Sequence, residues 1–213
     1  MTQPRPTARR VDPEPPPTRL AELRDVPRIA ATLTLAQATS RWTRWALPDD
    51  GRVQRLTRWH ELAAHEAVST GTAWVSEDVS SVALWRPPDG AAGTAPLPSD
   101  VRAALDRELP YLSDSRARVV ADTGARTAAA LPEGPHWQLL QLATRPTARR
   151  QGLAAAVLAP ALARCDTDRV PAAAIAYSWA AVAYLRGAGF QVTADLETAD
   201  GAMRVWVVTR APR

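Results

Sequence analysis

The most constraining stretch of this chain runs from residue 137 to residue 163. It opens with Trp137-Gln138-Leu139-Leu140-Gln141-Leu142-Ala143-Thr144, dense enough in apolar residues for a central, buried strand. Arg145-Pro146-Thr147-Ala148 follows, then Arg149-Arg150-Gln151-Gly152-Leu153-Ala154, then an Ala/Leu-rich run that predicts a helix over 153–163. A strand that turns directly into a helix leaves the first helical amides without partners at the positive end of the helix dipole. Such a terminus holds pyrophosphate well. Gly152 lets the backbone approach an anion without a Cβ, Ala154 keeps the helix close to the sheet, and Arg149 and Arg150 add fixed positive charge.

Around this unit the chain reads as alternating strands and helices. Thr18–Leu23 is a strand candidate, and Asp25-Val26-Pro27 starts a helix reaching about Thr39, with Asp25 as its cap. A second helix covers Val53–Ala67. Thr72–Ser76 and Ser81–Trp85 alternate as a hairpin, and the Pro/Gly/Ala-rich residues 87–98 form a loop. Pro98-Ser99-Asp100 opens another helix with Val101, Leu105 and Leu109 on one face. Ala172–Ser178 is a strand, Ala180–Arg186 a short helix stopped by Gly187-Ala188-Gly189, and Phe190–Leu196 with Met203–Thr209 a closing hairpin. Residues 1–18 are Pro-rich and polar and predict a disordered lead; 19–213 predict one domain.

Composition narrows the chemistry. All 26 basic residues are arginine, which excludes a lysine Schiff base, a lysine general base and a Walker-type lysine. The net charge of +4 is carried by planar guanidinium forks suited to phosphates and carboxylates. Cys165 is the single cysteine, so no intrachain disulfide forms, and a cytoplasmic setting is expected. No apolar run is long enough for a membrane span, and residues 1–18 are not expected to be an export signal, since Arg9-Arg10 is followed by a Pro-rich stretch rather than an apolar core. In His60-Glu61-Leu62-Ala63-Ala64-His65 the histidines are five apart, about 140° around a helix, so no shared metal face and no metal are expected.

A second motif, Ala183-Tyr184-Leu185-Arg186-Gly187-Ala188-Gly189-Phe190, joins the Arg149–Ala154 loop. Together they resemble the GNAT superfamily of N-acetyltransferases, whose loop reads Gln/Arg-x-x-Gly-x-Gly/Ala. The resemblance spans roughly residues 19–211. It includes Arg24-Asp25-Val26-Pro27-Arg28, Ala73-Trp74-Val75, the run Val82–Pro88 and Val192-Thr193-Ala194-Asp195, and is strongest with puromycin N-acetyltransferase-like actinobacterial proteins. It implies an α/β fold with a mixed, mainly antiparallel, splayed sheet flanked by helices. It implies transfer of an acyl group, acetyl from acetyl-CoA by default, to an amine of a small molecule such as an antibiotic or natural-product intermediate, by direct attack. Gln141, Leu142, Ala143 and Thr144 would run beside the pantetheine arm, and Arg149, Arg150, Gln151, Gly152, Leu153 and Ala154 would hold the pyrophosphate.

The chain departs from that pattern in the segment 170–190. Ile175, Ala176 and Tyr177 stand where the family has Glu, Thr and Ser; Ala181 replaces an Asn, and Leu185 replaces the Tyr that protonates the departing thiolate. Arg150 replaces a frequent Gly. Three readings follow. Tyr184 or Tyr177 supplies the proton from a shifted position, with His136 a further candidate base beside the central strand. Alternatively the donor is an aminoacyl-tRNA, whose leaving group is a ribose hydroxyl and whose phosphates the arginines would contact. Third, the protein binds a ligand without turnover. For the acceptor, Trp42 and Trp45 after the first helix offer flat apolar walls, and Glu61 and His65 share a helix face that could line the same pocket. Trp74, Trp85, Trp137 and Trp206 are expected in the core. Oligomeric state is open.

Overall fold

The computed structural model describes residues 16–213. The predicted lead falls mostly on residues 1–15, outside the described residues; Thr18, placed in that lead, begins the first strand. The strands are β1 (Thr18–Leu20), β2 (Ala73–Ser76), β3 (Ser81–Arg86), β4 (Trp137–Thr144), β5 (Ala172–Ala176), β6 (Gln191–Glu197) and β7 (Arg204–Arg210). The helices are α1 (Val26–Gln37), α2 (Arg41–Ala46), α3 (Arg52–Ser69), α4 (Ser99–Ser113), α5 (Ala117–Ala128), α6 (Leu153–Asp168) and α7 (Trp179–Gly187). All seven strands form one sheet in the order β1-β2-β3-β4-β5-β7-β6. Every neighbouring pair is antiparallel except β4 and β5. This is the mixed, mainly antiparallel α/β architecture expected from the sequence.

The parallel pair is short. Trp137, Gln138 and Leu139 of β4 pair with Ala172, Ala173 and Ala174 of β5, and there the pairing ends. Beyond it β4 runs on with β3 while Ile175 and Ala176 of β5 follow β7. The sheet therefore opens into a wedge. A bulge lies at its apex: Leu84 pairs with Gln141 and Trp85 with Leu139, leaving Leu140 as the extra residue. Bulges bend a strand and interrupt its ladder, which helps β4 turn away from β5.

Two apolar layers hold the sheet. On one face Trp85, Trp137 and Leu139 of the sheet pack with Val157 and Leu158 of α6, Leu185 of α7 and Phe190. On the other, Val26, Ile29 and Leu33 of α1 and Ala64 and Ala67 of α3 cover Val75, Val82 and Leu84. The alanines of β5 are buried, and their small side chains let α7 pack close to the strand. Trp85 and Trp137 are buried as expected, and Trp74 and Trp206 pack at the edge of the same layer. Cys165 is buried too, and burial pushes its thiol up to about 12, far from thiolate chemistry.

Several local expectations change. Asp25 takes the N-cap position of α1, as expected, but its side chain bonds none of the helix amides. Its carboxylate accepts Nη1 and Nη2 of Arg19 at 2.6 and 2.9 Å and the Glu22 amide at 2.9 Å, closing a tight 3-10 turn over Leu23–Asp25 and tying it to β1. Helices α2 and α5 were not expected. No described helix is long and apolar enough to cross a membrane. Among the described residues no group of three or more His, Cys, Asp or Glu side chains is placed to hold a metal ion.

Candidate functional site

The wedge between β4 and β5 is the mouth of a cleft of about 930 Å³, within the range of small-molecule and cofactor sites. Leu140–Thr144 form one wall, Ala174–Ser178 with α7 the other, and the start of α6 lies across one end. The opposite end is closed by the last turn of α1, by α2 and by Trp59 of α3.

The cleft is built for an extended ligand with an anionic group at one end. Past Leu139, β4 has no strand partner on the β5 side, so backbone groups that would have completed a ladder face the cleft. An extended polar chain can pair with such an edge as an added strand does. At the end of the strand, Gly152 takes a left-handed backbone (φ 75°) and serves as the N-cap of α6 without a side chain to cap it. The first intrahelical bond runs from the Ala156 amide to the Gly152 carbonyl at 3.0 Å. The amides of Gly152, Leu153, Ala154 and Ala155 precede it, at the positive end of a 16-residue helix. Arg149 and Arg150 are exposed beside them. Arg150 itself has φ 67°, a conformation that costs a Cβ-bearing residue roughly 1–2 kcal/mol.

Most of the residues expected to bind a donor meet here. Gln141, Leu142, Ala143 and Thr144 line the cleft with Arg149, Arg150, Gly152, Leu153 and Ala154. Gln151 points elsewhere: it lines a separate cavity of about 460 Å³ behind the loop, with Pro17, Asp78 and Arg145. The side chain of Gln141 is fixed by Gln37, whose Nε2 donates to its Oε1 at 2.8 Å, joining the end of α1 to β4.

Both candidate tyrosines lie in the cleft. Tyr177 is half-buried, stands 5.7 Å from Trp42 between ring centroids, and has its hydroxyl pushed up to about 12 by burial. Tyr184, more exposed, is raised by the same cause. Leu185, at the position where the resemblance places the thiolate acid, is buried and lines the cleft beside Tyr184. His136 lies outside. It precedes the paired end of β4, and its Nδ1 is 2.9 Å from the Gly134 carbonyl.

The acceptor candidates divide. Trp42 lines the cleft and meets Trp59 edge to face at 5.3 Å. Trp45 does not line the cleft but lies in the core cluster against which Trp42, Trp59 and Tyr177 pack. It is buried against Ala46, Leu47, Leu56 and Met203, donates Nε1 to Asp200 at 3.1 Å, and carries the Arg116 guanidinium 5.3 Å above its ring. Glu61 and His65 do not line the cleft either; Glu61 pairs with Arg58 at 2.9 Å on the flank of α3, where Arg58 also holds Glu108 of α4. Trp59, Gln37 and Arg41 are cleft residues that the sequence reading missed. A tryptophan set in the polar run Arg58-Trp59-His60 was the available signal for the first. Gln37 acquires its role only from α1 packing across β4, and Arg41 from the placement of α2 at the cleft.

No family model matches the chain. Solved structures do. The histone acetyltransferase HPA2 and related acetyltransferase of Corynebacterium glutamicum superposes with a TM-score of 0.66 at 24% identity, over 94% of this chain and 98% of that one. The C-terminal condensation domain of Ebony, in complex with beta-alanyl-dopamine, gives 0.61 at 10% identity over 92% and 98%. An arylalkylamine N-acetyltransferase-like protein of mosquito gives 0.52 at 14% identity over 91% and 98%. At these identities the likeness is one of fold.

Proposed function

On the premise of a GNAT acetyltransferase fold, we propose that this chain is an N-acyltransferase that takes acetyl from acetyl-CoA and passes it to an amine of a small molecule by direct attack. The carrying observation is the coincidence, in one cleft, of an unpaired strand edge at Leu140–Thr144 with the uncapped amides of α6. That pairing fits a donor with an amide-bearing arm and a diphosphate. When bound, the thioester supplies the acyl group and a thiolate leaving group. The β4 edge orients the arm, and the Gly152–Ala155 amides with Arg149 and Arg150 hold the diphosphate. A β4 amide near the Leu140 bulge polarises the acyl carbonyl. Tyr184 or Tyr177, protonated throughout the neutral range, donates to the leaving group.

An aminoacyl-tRNA donor is the second reading, favoured by the exposed Arg149 and Arg150 beside the start of α6. It asks more of the protein, because a ribose hydroxyl is a poorer leaving group than a thiol and needs its proton more. The experiment is a side-by-side assay of the full chain with acetyl-CoA and with a charged tRNA pool, each with a panel of amines. Amine-dependent release of free CoA supports the first donor. Acylation that requires charged tRNA and vanishes with ribonuclease would replace it, and binding without either would support a non-catalytic role.

A further inference from the structure

The bulge at Leu140 re-aims the side chain that follows it. Side chains along a strand alternate between its two faces, and β4 breaks that alternation once. Leu139 packs in the layer shared with α6 and α7, and Leu140 in the layer beneath α1 and α3. Gln141, instead of returning to the first face, meets Gln37 at the end of α1; Leu142 and Ala143 then resume the alternation. An extra residue in a strand turns a neighbour in this way, and does so often beside active sites.

Gln37 is held at both ends. Its carbonyl accepts the Ser40 amide at 2.9 Å and the buried Thr43 hydroxyl at 2.8 Å, which ties the last turn of α1 to α2, and its Nε2 donates to Gln141 Oε1 at 2.8 Å. Both glutamines are half-buried and line the cleft, at the seam between the β4 wall and the end closed by α1 and α2. Their bond leaves Gln37 Oε1 as an acceptor and Gln141 Nε2 as a donor, neither with another partner among the described residues. Of the described residues lining the cleft, the charged ones are Arg41, Arg149 and Arg150; Asp, Glu and His are not among them.

An amine attacks as the free base, with its lone pair aimed at the acyl carbon, so it is best held through an N–H. A carboxylate would favour the ammonium instead, whereas a carboxamide oxygen accepts from the neutral amine and leaves its lone pair free. Resting on the acyltransferase reading, we propose that Gln37 Oε1 accepts an N–H of the attacking amine, and that Gln141 is the positioning residue that fixes Gln37 over the β4 wall. The nitrogen forms the C–N bond as the C–S bond breaks, and the thiolate takes the tyrosine proton. A carboxamide is no base, so the surplus amine proton passes to water, from which the tyrosine is reprotonated.

The test uses the full chain with acetyl-CoA and three primary amines of like basicity: butylamine, 3-phenylpropylamine and cyclohexylmethylamine. Gln37→Met, close in shape but without the acceptor oxygen, should lower kcat/KM for the best of the three at least about tenfold, with KM for acetyl-CoA within about twofold of the parent. In the parent, kcat/KM should rise about a hundredfold from pH 6.5 to pH 8.5, tracking an amine with pKa near 10.4. Gln37→Glu keeps a bond to Gln141 with the Gln141 amide turned over. It should restore turnover and rise less than about tenfold over that range, because its carboxylate binds the ammonium and takes its proton. A merely structural bond would move both substrates together and leave the pH profile alone; that pattern, or an unchanged kcat/KM in Gln37→Met, overturns the proposal. If the parent transfers acetyl to none of the amines, the acyltransferase reading fails, and tryptophan fluorescence at pH 9.5 decides the amine station separately. Saturable quenching by 3-phenylpropylamine that weakens at least about tenfold in Gln37→Met upholds it, and equal or absent quenching overturns it.

Discussion

Leu139 pairs with Ala174, and no later residue of β4 has a partner on β5. That single register position marks where a continuous sheet becomes a cleft. The β4 residues assigned to the donor lie beyond it, and His136, which lies before it, is separated from them by the paired part of the sheet.

The left-handed backbone of Arg150 is strain that glycine would relieve. Arg150→Gly should raise stability slightly, by about 0.5–1 kcal/mol, since the conformational relief of roughly 1–2 kcal/mol exceeds the extra chain entropy glycine loses on folding. Thermal melting checks this. The same variant should bind acetyl-CoA a few-fold more weakly at low salt, with the difference fading as salt rises, because the removed charge is exposed.

Tyr184→Phe tests the proton donor. If this hydroxyl serves the leaving group, kcat falls on the order of a hundredfold while KM for acetyl-CoA changes little. Because burial raises its pKa above the ordinary value, the wild-type rate should show no alkaline limb from this group below about pH 10. An unchanged kcat transfers the role to Tyr177, whose hydroxyl, raised to about 12, is protonated over the same range.

Asp25 governs part of the acid stability. The Arg19 guanidinium, with the Glu22 amide, holds its carboxyl down to about 2, below the ordinary 3.8. A depressed carboxyl stabilises the fold above its unfolded pKa and loses that contribution as pH falls through the folded one. The loss should occur between about pH 4 and pH 2 and amount to about 2 kcal/mol, as the side chain is well buried. Asp25→Asn should be less stable at pH 7 and show a flatter decline over that window in denaturant titrations.

How much of this was legible in the sequence varies with how local the cause is. β4 was read end to end and the start of α6 to the residue, because an apolar strand, a Gly turn and an apolar helix are signals carried by neighbouring residues. Helix α5 was invisible for the opposite reason. Its fully buried residues are Thr123 and Thr127, whose hydroxyls donate back to the Val119 and Thr123 carbonyls at 2.7 and 3.1 Å, and its apolar contribution is confined to Val119 and Val120, so its inner face reads as largely polar. Trp42 and Trp45 look alike in sequence. Only Asp200 and Arg116, brought from far along the chain, take Trp45 into the core and leave Trp42 to the cleft. The β4–β5 opening was inferred from resemblance, whereas the bulge at Leu140 that accompanies it depends on pairing with β3 and has no local signature.

The donor site depends most directly on Gly152. A Cβ built there meets Pro16 Cδ at 3.8 Å, an ordinary contact, so among the described residues the first side-chain atom costs only the left-handed backbone strain of about 1–2 kcal/mol. A larger side chain occupies the space before the α6 amides. Calorimetric titration of acetyl-CoA into the full chain and into Gly152→Trp, with both melting cooperatively, is the decisive measurement. Micromolar, one-to-one binding that weakens at least about a hundredfold in the variant is the expected result. Binding of the same strength in both proteins, or none in the parent, would contradict a donor held by the start of α6.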